Sequence, residues 1–169
     1  MVNINYLKNP FNYIGGKYKL LPQILPLFPK KIDKFVDLFG GGGEVSLNVN
    51  AKQVVYNDKC EPLVNIFRNL DSKFVDEVKE MIDTYKLNKF SKQEFLNLRS
   101  YYNTNLKDKL DRENAVVLYC LITHAFNYQI AFNKSREFNM PSGASRSYFS
   151  KSLEDKLVKY IEAIDKKNI

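Results

Sequence analysis

The 169 residues suffice for one domain or for one domain carrying an insert, and 44% hydrophobic with 14% aromatic content excludes a disordered tail. A formal net charge of +7 favours a polyanionic partner, since each neutralised phosphate releases condensed counterions, although a Lys-rich protein without that role has the same balance. Cys60 and Cys120 lack metal-ligand spacing and fit free thiols, and no segment has the roughly 20 apolar residues of a membrane span or a signal-peptide core, so a metal-free cytoplasmic protein is expected.

Six of the seven glycines fall in two clusters, Gly15-Gly16 and Gly40 to Gly43. Glycine belongs where backbone turns sharply or admits a ligand closely, so the N-terminal third is expected to build a ligand site. Lys34 to Phe39 predicts a buried strand entering the second cluster. Glu44 to Asn48 opens a helix, Gln53 to Tyr56 is a second strand ending in Asn57-Asp58, and Glu61 to Leu70 is helical. This β–loop–α–β–loop–α order opens a doubly wound α/β sheet.

After residue 71 strand signals vanish. Asp71 or Ser72 is expected to cap a helix reaching about Tyr85, and Ser91 with Glu94 forms a capping-box pattern before a helix to about Asn103. Asp111 caps a helix through AVVLYCLITHAF, Asn127 to Tyr148 predicts a polar loop or hairpin, and Ser152 to about Lys166 is a last helix. His124 on an apolar helix reads as a structural histidine.

Asp37-Leu38-Phe39-Gly40-Gly41-Gly42-Gly43 matches D-x-F-x-G-x-G, a loop beneath which a nucleoside can lie. Asp58, 21 residues after Asp37, can accept both ribose hydroxyls. A dinucleotide site or a plain turn would explain the loop alone. The segment ahead of the first strand separates them: Tyr13, Gly15, Gly16 and Lys17 supply a ring, two glycines and a cation, where nicotinamide-dinucleotide folds begin at the strand itself.

Five ordered blocks carry a resemblance over essentially the whole chain: PFNYIGGKYKLLPQI, FVDLFGGGGEVSLNV, VVYNDKCEPLVNIF, YKLNKFSKQEFLNLRSYYN and HAFNYQIAFNKSREFNMPSG. The sequence resembles the Dam-type adenine-N6 DNA methyltransferases, above all their phage members. The resemblance implies an incomplete Rossmann-like fold dependent on S-adenosylmethionine (AdoMet), with a helical target-recognition insert. Residues 1–70 would be cofactor-binding, 71–150 the DNA-reading insert, and 151–169 a helix returning to the first part. It implies that Tyr13 and Lys17 help hold AdoMet, Lys17 near its carboxylate. Asp37, Phe39, Gly40, Gly41 and Gly43 would line the methionine side, and Asp58 the ribose. Many members carry tryptophan at the position of Tyr13.

It further implies that double-stranded DNA meets Phe126, Asn127, Tyr128, Gln129, Asn133, Lys134, Arg136 and Arg146 while the target adenine is flipped out of the stack. Ala131 stands where GATC-modifying members usually carry arginine, which sets that recognition site aside. N6 transfer needs a D/N/S-P-P-aromatic element, and no two of the six prolines are adjacent, so no catalytic residue is expected in this chain. Two parallel strands without neighbours would expose apolar edges, so either a second polypeptide bearing the missing strands or marginal stability is expected. The alternative is a non-catalytic DNA- or AdoMet-binding module, or a regulatory partner of a full-length enzyme.

Overall fold

The computed structural model describes residues 6–167 and 169. Two short strands, β1 (Lys34–Asp37) and β2 (Gln53–Tyr56), form a parallel pair in the register Lys34–Gln53 to Asp37–Tyr56. Helix α2 (Glu44–Asn48) is the crossover between them. Before β1 the chain makes the four-residue α1 (Leu21–Ile24) flanked by 3-10 turns. Pro22 and Pro26 sit at helix starts, where the missing N–H costs nothing.

After β2 the chain is helical: α3 (Glu61–Arg68), α4 (Phe74–Thr84), α5 (Lys92–Tyr101) with a π-helical turn through Leu106, α6 (Arg112–His124) and α7 (Lys151–Lys167). Helix α6 is the centre. Every residue from Asn114 to His124 is buried, and α3, α4 and α5 pack around it. That explains its apolar run, because a helix covered on all sides has no polar face. Asp111 starts it as expected, its Oδ1 accepting the Asn114 N–H at 2.9 Å.

Buried Asn114 is fully used. Its amide donates to the Leu106 carbonyl at 2.8 Å and its oxygen accepts the Asn65 amide at 2.9 Å, joining α3, α6 and the π-helical turn. Helix α7 buries Leu153, Leu157, Tyr160, Ile161 and Ile164, one stripe at helical spacing. The hydrophobic core is one cluster that contains Leu47, Leu63, Phe95, Leu121 and Ile161, so it draws on residues before 71, between 71 and 150, and after 150.

Three expectations are corrected. β1 ends at Asp37 and is not buried: Val36 is 47% exposed, and Phe39 lies in the following turn at 86%. No third strand flanks the pair among the described residues, so the apolar run has nothing to cover it. Ser91 forms no capping box. Its hydroxyl instead bonds Asn88, accepting the Asn88 N–H at 2.6 Å and donating to its carbonyl at 2.8 Å, because the Asn88 turn competes for it. α6 stops at His124 rather than Phe126, since Ala125 leaves the helix for extended backbone at φ −79° and ψ 159°, and Asn127 and Tyr128 beyond it take left-handed φ values of 54° and 57°. No described helix is long and apolar enough to cross a membrane.

Candidate functional site

The glycine loop leaves the carboxyl end of β1, and Asp58 follows the carboxyl end of β2. Parallel strands bring ligands to that end. Gly41 has φ +50°, and a Cβ there would come within 2.8 Å of the Tyr13 ring, so only glycine lets the ring lie on the loop. The Gly41 N–H donates to Asp58 Oδ2 at 2.8 Å, and the Cys60 N–H donates to Asp58 Oδ1 at 2.9 Å. Two tyrosine hydroxyls hold the loop from behind: Tyr56 donates to the Gly41 carbonyl and Tyr160 to the Gly42 carbonyl, each at 2.7 Å. Asp37 Oδ2 accepts the Ser46 hydroxyl at 2.7 Å.

The Tyr13–Lys17 segment is fastened to this loop by Glu44, which is 4% exposed. Its carboxylate accepts the Asn9 amide at 2.7 Å, the Tyr18 N–H at 3.0 Å and the Lys17 N–H. One turn on, Asn48 exchanges two 2.8 Å hydrogen bonds with the Leu7 backbone. Between segment and loop opens a cleft of about 520 Å³. Of the sequence-predicted cofactor residues, Tyr13, Gly15, Gly16, Lys17, Asp37, Phe39, Gly40, Gly41 and Asp58 all line it, whereas Gly43 lies behind the loop. Burial, and then the Asp58 charge, push the Tyr13 hydroxyl above its ordinary pKa, so it remains a neutral phenol. The Lys17 ammonium turns back to the Gly15 carbonyl at 2.6 Å.

Sequence reasoning missed Glu44, Tyr56 and Tyr160, together with Phe28 and Phe35, which line the cleft with ring centroids 5.3 Å apart. An acidic residue at the first position after a glycine loop, where helix N–H groups point, was the available signal for Glu44.

Residues 8–12, the other part of the N-terminal segment, wall a second cleft of about 510 Å³. Lys8, Arg146 and Lys156 bring positive charge to it, with Asn12, Asn127 and Tyr128, and no acidic residue lines it. The segment is tied across: the Asn12 N–H donates to the Tyr128 carbonyl at 3.2 Å. The predicted hairpin is present, bridged antiparallel at Ala125–Ser142 and Phe132–Phe138. Its tip is more committed than the sequence suggested. Asn133 holds the turn through Ser135, Glu137 and their backbone, and Arg136 pairs with Glu61 at 3.0 Å and Asp108 at 3.7 Å. Lys134 is exposed, Gln129 is half-buried, and Phe126 is exposed beside the second cleft's Asn127. His124 is buried in the core, with Nδ1 2.9 Å from the Cys120 carbonyl, and burial lowers its pKa. Among the described residues no cluster of His, Cys, Asp and Glu could hold a metal.

The profile of the D12 class N6 adenine-specific DNA methyltransferases matches residues 13–169. The modification methylase StsI of Streptococcus sanguinis is 44% identical over 160 residues, which cover 92% of this chain and 23% of that protein. The type II methyltransferase M.FokI of Planomicrobium okeanokoites is 45% identical over 169 residues, 98% of this chain and 25% of that protein. The DNA N-6-adenine-methyltransferase of Escherichia phage P1 is 27% identical over 143 residues, 82% of this chain and 18% of its own length. The chain thus spans a quarter or less of these relatives, and it belongs to the D12 class of N6 adenine-specific DNA methyltransferases.

Proposed function

We propose that this chain binds AdoMet in the cleft between Tyr13–Lys17 and the glycine loop, and double-stranded DNA across the basic cleft and hairpin. It would act as the cofactor-binding and DNA-reading part of a site-specific adenine-N6 methyltransferase. The carrying observation is the meeting, at the same ends of two parallel strands, of the Gly41 loop, the Tyr13 ring laid on it, and the Asp58 carboxylate.

The residues fit that cofactor. Each Asp58 oxygen spends one lone pair on a backbone N–H and keeps another for a ribose hydroxyl. Tyr13, Phe28 and Phe35 offer ring faces to a flat base. Lys17 would swing from the Gly15 carbonyl to a ligand carboxylate, exchanging a neutral acceptor for a charged one. When bound, AdoMet supplies an electrophilic methyl group. The residues of this chain orient it and exclude water from it, while the insert would hold the duplex from which adenine is flipped. The D/N/S-P-P-aromatic element is not among these residues, whose six prolines stand apart, so transfer would need it from outside residues 1–169, in the same polypeptide or in a second one.

Calorimetry with AdoMet and with NAD tests the cofactor. One-to-one binding of AdoMet alone is expected, and heat from NAD alone would sink the reading. Fluorescence anisotropy of a labelled duplex should show affinity falling steeply with salt.

A further inference from the structure

We infer that Tyr160 is a positioning residue for the cofactor cleft: α7 carries its hydroxyl to the back of the glycine loop and holds the loop in the shape a ligand meets, on the reading that this cleft binds AdoMet. Tyr160 is fully buried, and its hydroxyl donates to the Gly42 carbonyl at 2.7 Å across 118 residues of sequence. Burial raises its pKa well above the ordinary phenol value, so the donor persists at any physiological pH. The fit is mutual. Gly43 has φ +72°, and a Cβ there would stand 2.5 Å from the Tyr160 oxygen. The loop can close on the hydroxyl only because residue 43 has no side chain. The ring is itself held, with Phe67 at 5.8 Å and Phe11 at 6.4 Å between centroids.

Other polar groups of the loop are tied back as well. Tyr56 takes the Gly41 carbonyl, Asp58 the Gly41 N–H, and the Gly43 N–H donates to the Gly40 carbonyl at 2.8 Å. Among the described residues Tyr160 makes the one such contact from beyond residue 150. It stands one turn from Lys156, which with Ser152 and Leu153 lines the basic cleft. A single helix therefore lines the basic cleft and braces the loop of the cofactor cleft from behind, and a shift of its first turns moves the hydroxyl that fixes the loop.

Tyr160→Phe removes one oxygen and keeps the ring. Hydrogen exchange at the amides of residues 41–44 should quicken about tenfold while α6 stays protected, and AdoMet affinity should fall about 3- to 10-fold, the range of one hydrogen bond, with DNA affinity unchanged. Phe67→Leu loosens the same packing but keeps the hydroxyl, and it should leave loop exchange near the wild-type rate. Loop exchange and affinity both unchanged in Tyr160→Phe would overturn the assignment. Should that variant not fold, NMR of the wild-type chain decides. A slowly exchanging Tyr160 hydroxyl proton with a cross-peak to residue 42 or 43 supports the contact, and a rapidly exchanging one overturns it. If the wild-type chain takes up no AdoMet, the cofactor reading fails, whereas loop exchange in Tyr160→Phe still decides whether the hydroxyl holds the loop.

Discussion

The Asp58 carboxylate receives the Gly41 N–H at 2.8 Å, so a residue just past the second strand also sets the loop that follows the first. One side chain thereby ties the glycine loop to the chain that leaves the second strand. In the proposed function the same oxygens meet the ribose, which would make binding and loop geometry depend on one group.

Asp58→Ala leaves the buried Gly41 N–H and the Cys60 N–H unpaired, at a cost of about 1–3 kcal/mol each where water cannot reach them. A lower melting temperature and AdoMet binding weakened more than about tenfold are expected, because a hydrogen-bonded acceptor pair is lost. Asp58→Asn keeps one acceptor and should fall between alanine and wild type. Thermal melts and calorimetry on the three proteins check the order.

Glu44→Ala should free the N-terminal segment rather than unfold the protein, since the core of α6 does not touch this carboxylate. Lys17 and Lys19 then become accessible to trypsin, and cleavage there should be much faster than in the wild type. Digestion at an unchanged rate would mean that the Asn48 bonds to Leu7 and the Asn12 bonds to Asn127 and Tyr128 hold the segment without Glu44.

His124 is the only histidine, and burial lowers its folded pKa. The unfolded chain, with an ordinary value near 6.5, then takes up a proton that the folded chain refuses. Its contribution to stability is whole above that value and is lost as pH falls from there through the folded pKa, at up to about 1.4 kcal/mol per pH unit. Urea midpoints compared at about pH 7.5 and about pH 5.5 should drop more in the wild type than in His124→Asn. Equal drops would mean that the imidazole is as easily charged in the fold as outside it.

Lys134 sits at the hairpin tip, and Arg136 there is shared with Glu61 and Asp108. Lys134→Ala should lower the slope of log affinity against log salt by about one, the loss of one phosphate contact. Glu61→Gln should tighten DNA binding up to about fivefold, because the pair it breaks is exposed and worth about 1 kcal/mol at most. Anisotropy at several salt concentrations reads both, and an unchanged slope in Lys134→Ala would remove the hairpin tip from the DNA interface.

The parts of the fold legible in the sequence are those with local signals. The glycine run, the Asp58 position and the Asp111 cap each declare themselves within a few residues, and the structure places them as expected. The helix α1 was missed, since four residues between two 3-10 turns leave no period to read. Ser91 was misread because a cap and an Asn88 turn compete for one hydroxyl. Lys34 to Phe39 reads as buried in the sequence because an apolar run states what a strand could cover, not whether its cover lies nearby. Tyr56 and Tyr160 could not have been found by pattern: their carbonyl partners lie 15 and 118 residues away.

Those distances bear on how the protein is made. The Asn12 side chain donates to the Asn127 carbonyl 115 residues on, and Lys167 donates to the Val49 carbonyl 118 residues back. A ribosome therefore delivers both strands and the glycine loop long before it delivers what closes them. A nascent chain stalled ahead of α7 would contain every residue that lines the cleft between Tyr13–Lys17 and the glycine loop and yet lack the Tyr160 hydroxyl that braces the loop. Val36, Leu38 and Phe39 stay exposed before and after that helix docks, so this apolar run is open to misassociation throughout assembly.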